Sequence, residues 1–170
     1  GMMHVPSYIS FVPFDTNLPE INCLWLFVFT RLYAQVRRSQ GSGVLRLTMK
    51  GIKLKNTEGF LRKSDPFFEL NRNVNAAGAA TWDNVFRSNV VQNNLSPDWE
   101  EASMELSILC GGDLDLPIMV KVFDFESDGK HDLMGQFETS VNGLVAASSS
   151  NSNIQLQKKG KPTGTIVVTK

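Results

Sequence analysis

From residue 43 onward, polar and apolar side chains alternate in short runs. Glu101-Ala102-Ser103-Met104-Glu105-Leu106-Ser107-Ile108 alternates without a break, placing four apolar side chains on one face of a half-buried strand. Leu45-Arg46-Leu47-Thr48-Met49-Lys50 repeats the pattern. Stretches 66–72, 84–91, 117–124, 133–140, 153–157 and 164–169 predict further strands, separated by polar and Gly-containing clusters such as Asn75 to Gly78 and Ser148 to Asn153. Eight short strands in about 130 residues, with no long amphipathic helix and no internal repeat, predict an all-β fold, an eight-stranded antiparallel β-sandwich. The polar stretch Arg37 to Gly43 marks the expected boundary: 1–42 is an N-terminal extension or the remnant of an upstream domain, and 43–170 is the sandwich.

The 170 residues, 42% of them apolar, suffice for one ordinary domain with an appendage. Lys plus Arg and Asp plus Glu each number 17, so no global basic field draws the chain to nucleic acid, and any electrostatic function is local. The cysteines, Cys23 and Cys110, lie far apart without a CxxC pair; this excludes a thiolate zinc motif and fits a reducing, cytoplasmic setting. With only His4 and His131 available for a nucleophile relay, the chain is not expected to be an enzyme. The most apolar stretch, Cys23 to Phe29, has seven residues where a membrane-spanning helix takes about 20, so it is read as a buried strand or short helix.

Chemistry concentrates in Phe123-Asp124-Phe125-Glu126-Ser127-Asp128-Gly129-Lys130-His131-Asp132. Four carboxylates within nine residues repel one another unless water, Lys130 or a cation relieves them, and oxygen-only donors suit a hard cation such as calcium. Asp124, Glu126, Asp128 and Gly129 fit positions 1, 3, 5 and 6 of an EF-hand loop, but position 12 is Gly135 in place of a bidentate Glu, and the preceding residues read as strand. A strand-flanked acidic loop needs further oxygens from elsewhere in the fold, and Ser64-Asp65-Pro66-Phe67 offers them.

An acidic loop closed by Lys130-His131-Asp132-Leu133-Met134-Gly135, the upstream Ser64-Asp65-Pro66-Phe67, and Asn94-Leu95-Ser96-Pro97-Asp98-Trp99 between them resemble a C2 domain. Val85-Phe86-Arg87-Ser88, Asn93 to Trp99, Cys110-Gly111-Gly112, Asp124 to Asp132 and Gly164-Thr165-Ile166-Val167-Val168, in that order, are most similar to the second C2 domain of copines over about 43–170. The resemblance implies the type II strand order, ending on Gly164 to Thr169. It implies Asp65 as a first-loop calcium ligand, Asp124, Glu126 and Asp132 as third-loop ligands, and Asp128 as an additional oxygen. Two positions depart from the family pattern: Gly59 stands where an Asp is usual, with Asn56 or Glu58 near enough to lean in, and Glu126 stands where an Asp is usual.

The partner so implied is an anionic, phosphatidylserine-like phospholipid membrane, which calcium attracts by reversing the sign of the acidic pole. Phe60, Leu61 and Arg62, with Lys130 and His131, are the implied membrane contacts; His131 is also expected to position the loop, and Phe60 or Leu61 alternatively caps the core. The module would then be cytoplasmic and peripheral to the plasma membrane on a calcium rise. The competing reading is a calcium-independent protein-interaction C2 domain with a degenerate metal site. Pro97 and Trp99 are expected to anchor the second loop, and Cys110 to be a buried or half-buried thiol near a turn. Lys158, Lys159 and Lys161 are read as a solvated loop, and Ser148 to Ser150 as a plain surface loop.

Overall fold

The computed structural model describes residues 43–59, 61–75 and 78–169; the expected extension and Phe60 lie outside them. The strands are β1 (Val44–Leu47), β2 (Met49–Ile52), β3 (Pro66–Asn73), β4 (Trp82–Arg87), β5 (Ala102–Glu105), β6 (Ile118–Asp124), β7 (Asp132–Thr139), β8 (Asn153–Lys158) and β9 (Lys161–Val168), with helices α1 (Leu106–Cys110) and α2 (Val141–Ser149). Seven strands are antiparallel in the order β2-β9-β8-β7-β6-β3-β4, and β1 pairs with β5. A single register pair, Gln136 with Gln157, joins β7 to β8, whereas seven pairs join β3 to β6. The sheet therefore parts at β7/β8 into two layers, β4-β3-β6-β7 and β8-β9-β2, the second extended by β1-β5.

Both layers contribute to one apolar core. Phe68, Leu70, Val120, Val122 and Met134 of the first meet Leu47, Met49, Met104, Leu156 and Ile166 of the second. Alternation delivers these side chains: β5 runs buried, exposed, buried, exposed from Ala102 to Glu105. Gly135, the residue that fails as an EF-hand ligand, sits in this core, where an added Cβ would lie 2.5 Å from Thr163 Oγ1 and 2.6 Å from Leu156 Cγ. A Gly135→Ala variant is expected to lose about 1–3 kcal/mol, read by urea unfolding.

All eight expected strands are present, but the first is two, because the chain passes between partners at Thr48, pairing with β5 before it and β9 after it. The expected strand over 101–108 stops at Glu105: Gly111, at φ +60, closes α1, its N–H donating to the Ser107 carbonyl and the Gly112 N–H to the Leu106 carbonyl, both at 3.2 Å. Helix α2 departs from the expected pattern of strands and loops. Its apolar residues Val141, Leu144 and Ala147 recur every third position and are buried, and the hydroxyl of its N-cap Ser140 accepts the Gly143 N–H at 3.1 Å. Ser148 and Ser149, expected in a loop, end this helix, and the Ser149 and Ser150 hydroxyls donate back to the carbonyls of Val145 and Ala146.

Candidate metal centre

Three loops meet at one end of the sandwich: the first between β2 and β3, the second between β4 and β5, and the third between β6 and β7. Two carboxylates tie them together. Asp124, the last residue of β6, is 1% exposed; its Oδ1 accepts the Asp65 N–H at 2.6 Å and its Oδ2 accepts the Thr57 hydroxyl. Asp65 in turn accepts the second-loop Asn93 N–H at 2.5 Å, and its carbonyl accepts the third-loop Phe125 N–H at 3.1 Å. A buried carboxylate is tolerated where donors replace its water, and here the donors also fix the loops.

The first loop folds around Asn56. Its Nδ2 donates to the carbonyls of Gly59 and Arg62, at 2.5 and 2.7 Å, and its Oδ1 accepts the Ser64 N–H at 3.0 Å. Gly59, at φ +80, supplies the left-handed turn this requires. Asn56 is thus occupied in holding the loop, and Glu58 reaches the acidic centre. Carboxylate oxygens of Glu58, Asp124 and Glu126 all lie within 4.8 Å of one another. The charge missing at Gly59 is supplied one residue earlier.

The other expected ligands lie around this group. Asp65 is half-buried and bonded to Asn93. Asp132 is exposed at the start of β7, in register with Asp124. Asp128 is exposed, and its Oδ1 accepts the Lys130 N–H at 2.9 Å. Among the described residues, the group within 4.8 Å contains neither Asp65, Asp128 nor Asp132. Thr57, which orients Asp124, escaped sequence reasoning; a lone threonine in a polar loop carries no periodic or motif signal.

Of the implied membrane contacts, Leu61 is 92% exposed, and Arg62 is exposed with its Nε 3.9 Å from Glu58. Lys130 is exposed. His131 packs into the outer face of the first layer, stacked on Phe125 at 5.1 Å and edge-on to Phe67 at 5.0 Å. Its Nδ1 accepts the Glu126 N–H at 3.0 Å, which orients the third loop, and its Nε2 lies 3.4 Å from the Arg87 guanidinium. Phe67 is wholly buried there, stacked on Phe123 and covered by the Arg87 guanidinium 4.7 Å above its ring. Arg87 itself is held by Glu69 at 2.8 Å. This outer cluster seats the third loop on β3 and β4.

Like charges leave their mark on Glu126. Its carboxyl is held above its ordinary value of 4.5, first by a hydrogen bond with Glu58, then by desolvation and by repulsion from Glu58, Asp124 and Asp128. An all-oxygen donor set strained by its own repulsion fits a hard divalent cation. Because the folded-state value lies above the unfolded one, the domain loses stability as pH rises from 4.5 through the raised value, and a cation held there would displace a proton. Calcium affinity is therefore expected to be weaker at about pH 5 than at about pH 7, beyond what an isolated glutamate would give; titration calorimetry at both pH values checks this.

Residues 43–156 match the family model of the C2 domain. The structure of BON1-C2B shares the fold at 24% identity and a TM-score of 0.66, covering 77% of this chain and 91% of that one. A structure of CC2D1B is similar in fold at 12% identity and a TM-score of 0.51, covering 75% of this chain and 53% of that one. A C2 domain of plant Extended Synaptotagmin 1 aligns at 16% identity and a TM-score of 0.49, over 75% of this chain and 92% of that one. With two antiparallel layers, three loops gathered at one end and the family model spanning 43–156, the chain belongs to the C2 domain family.

Proposed function

We propose that this C2 domain is a calcium-dependent phospholipid-docking module of a copine-like protein, cytoplasmic and peripheral to the plasma membrane on a calcium rise. The observation that carries the reading is the carboxylate group of Glu58, Asp124 and Glu126 beside the exposed Leu61 and Arg62. Glu58, Asp124 and Glu126 would hold the ion, with Asp65, Asp128 and Asp132 as the surrounding oxygens. Bound calcium supplies positive charge and open coordination positions for phosphatidylserine or phosphate oxygens. The chain's own residues do the rest: Asp124 and Asp65 lock the loops together, His131 holds the Glu126 backbone, and Leu61 projects apolar surface toward the acyl boundary. No covalent step is involved. The copine assignment rests on the order of motifs from Val85 to Val168.

Calorimetric calcium titration, with and without phosphatidylserine vesicles, tests the reading. Affinity is expected to rise at least about tenfold with vesicles present, by reciprocal linkage. The contact of Arg62 with Glu58 favours a second reading, a calcium-independent protein-binding domain whose acidic centre carries its own counter-charge. An unchanged melting temperature in millimolar calcium selects that one.

A further inference from the structure

Beside the acidic centre lies a site of opposite charge. Lys55, Lys158, Lys159 and Lys161 line a pocket of about 330 Å³, over Met134 and the hydroxyl-bearing Thr57 and Thr163. The Lys55 N–H donates to the Thr163 carbonyl at 2.7 Å, which brings the first loop against the β8–β9 hairpin and adds a fourth lysine to the three adjacent in sequence. Of the cations in the described residues, Arg46, Lys50, Arg62, Arg72 and Arg87 have carboxylate partners, and none of these four lysines does. The two basic residues of the β3–β4 ladder, Arg72 and Arg87, are both neutralised there.

The hairpin is built against its own stability. Lys158 and Lys161 stand directly opposite in the β8–β9 register, where like charges repel. Lys159 takes φ +52, a left-handed position that Asn, Asp or Gly occupies more readily in a two-residue hairpin. Backbone strain and charge repulsion at the same turn point to a ligand that compensates them. Ammonium groups act as point-charge partners of phosphate, and a volume of about 330 Å³ suits a compact polyanion.

We infer that this pocket binds a headgroup carrying several phosphates on a membrane lipid, separately from the calcium centre. The lipid source rests on the docking reading above, because Thr57 both lines the pocket and donates to Asp124, so pocket and acidic centre share one end of the domain. Calcium in the acidic centre would also remove the negative charge that opposes the anion.

The test uses the 170-residue chain and phosphatidylcholine vesicles with or without phosphatidylinositol bisphosphate, in EGTA and in calcium. Binding to the phosphoinositide vesicles is expected in EGTA, to strengthen in calcium, and to fall about fivefold for each lysine removed in Lys158→Ala and Lys161→Ala. Lys159→Gly separates site from scaffold: it is expected to raise the melting temperature by relieving the left-handed backbone, while weakening phosphoinositide binding about fivefold. A stabilised Lys159→Gly variant that binds like wild type overturns the proposal. Inositol hexakisphosphate binding that the lysine variants abolish, with vesicle binding untouched, overturns the lipid source. Glu126→Gln is expected to remove calcium-dependent phosphatidylserine binding and leave phosphoinositide binding in EGTA, so failure of the calcium reading and failure of the pocket are told apart.

Discussion

Asp124→Asn is expected to leave the domain folded and to abolish calcium-dependent sedimentation with phosphatidylserine vesicles. The amide keeps an oxygen for the Asp65 N–H, and its new NH2 faces the Thr57 hydroxyl, which rotates to accept it and gives its own proton to Ser64 Oγ, 2.9 Å away. Stability should stay within about 1 kcal/mol of wild type, since each hydrogen bond is retained. Cation binding should fall by about 2 kcal/mol or more, because a buried charge is lost from a centre of three carboxylates. Asp124→Ala is the contrast: with two donors orphaned it should cost about 2–4 kcal/mol of stability as well. Calcium-dependent pelleting by the asparagine variant would place the ion elsewhere.

The largest loss of stability is expected at a residue with no polar role in the acidic centre. Trp99 is 2% exposed, stands edge-on to Phe68 at 5.3 Å, and donates its Nε1–H to the Pro66 carbonyl at 3.0 Å. Trp99→Ala opens a cavity between the layers and removes one of that carbonyl's two donors, the Val91 N–H remaining at 3.0 Å, at a cost of about 3–5 kcal/mol. That is a large share of the roughly 5–15 kcal/mol that stabilises a domain of this size, and the melting temperature should drop by roughly 10–20 °C. Because Pro66 begins β3 immediately after Asp65, calcium affinity should fall too, even where the variant remains folded. Calorimetric melting with and without calcium checks both.

Much of this was legible in the sequence, for reasons that differ by residue. Strand β5 could be read because Ala102 and Met104 alternate with polar residues, and a half-buried strand leaves that signature. Strand β3 could be read by its apolar run, though not the reason for it: Pro66 to Asn71 are all buried because the outer face is also covered, by Phe123, Phe125, His131 and Arg87. Helix α2 escaped because Ser148 to Ser150 read as a loop, and only burial of Val141, Leu144 and Ala147 makes it a helix.

By itself the sequence determined the β class, the strand positions and the acidic third loop, because period-two patterning and charge density are local properties of the chain. Tertiary structure decided which oxygens meet. Gly59 read as a missing ligand; Asn56 folds the first loop so that the neighbouring Glu58 enters the group with Asp124 and Glu126, while Asp128 turns to its own loop backbone. It also decided that Lys55 joins lysines about one hundred positions away, because one backbone hydrogen bond sets the first loop against β9. Contacts between residues far apart in the chain depend on loop geometry and packing, and neither is written in any local pattern.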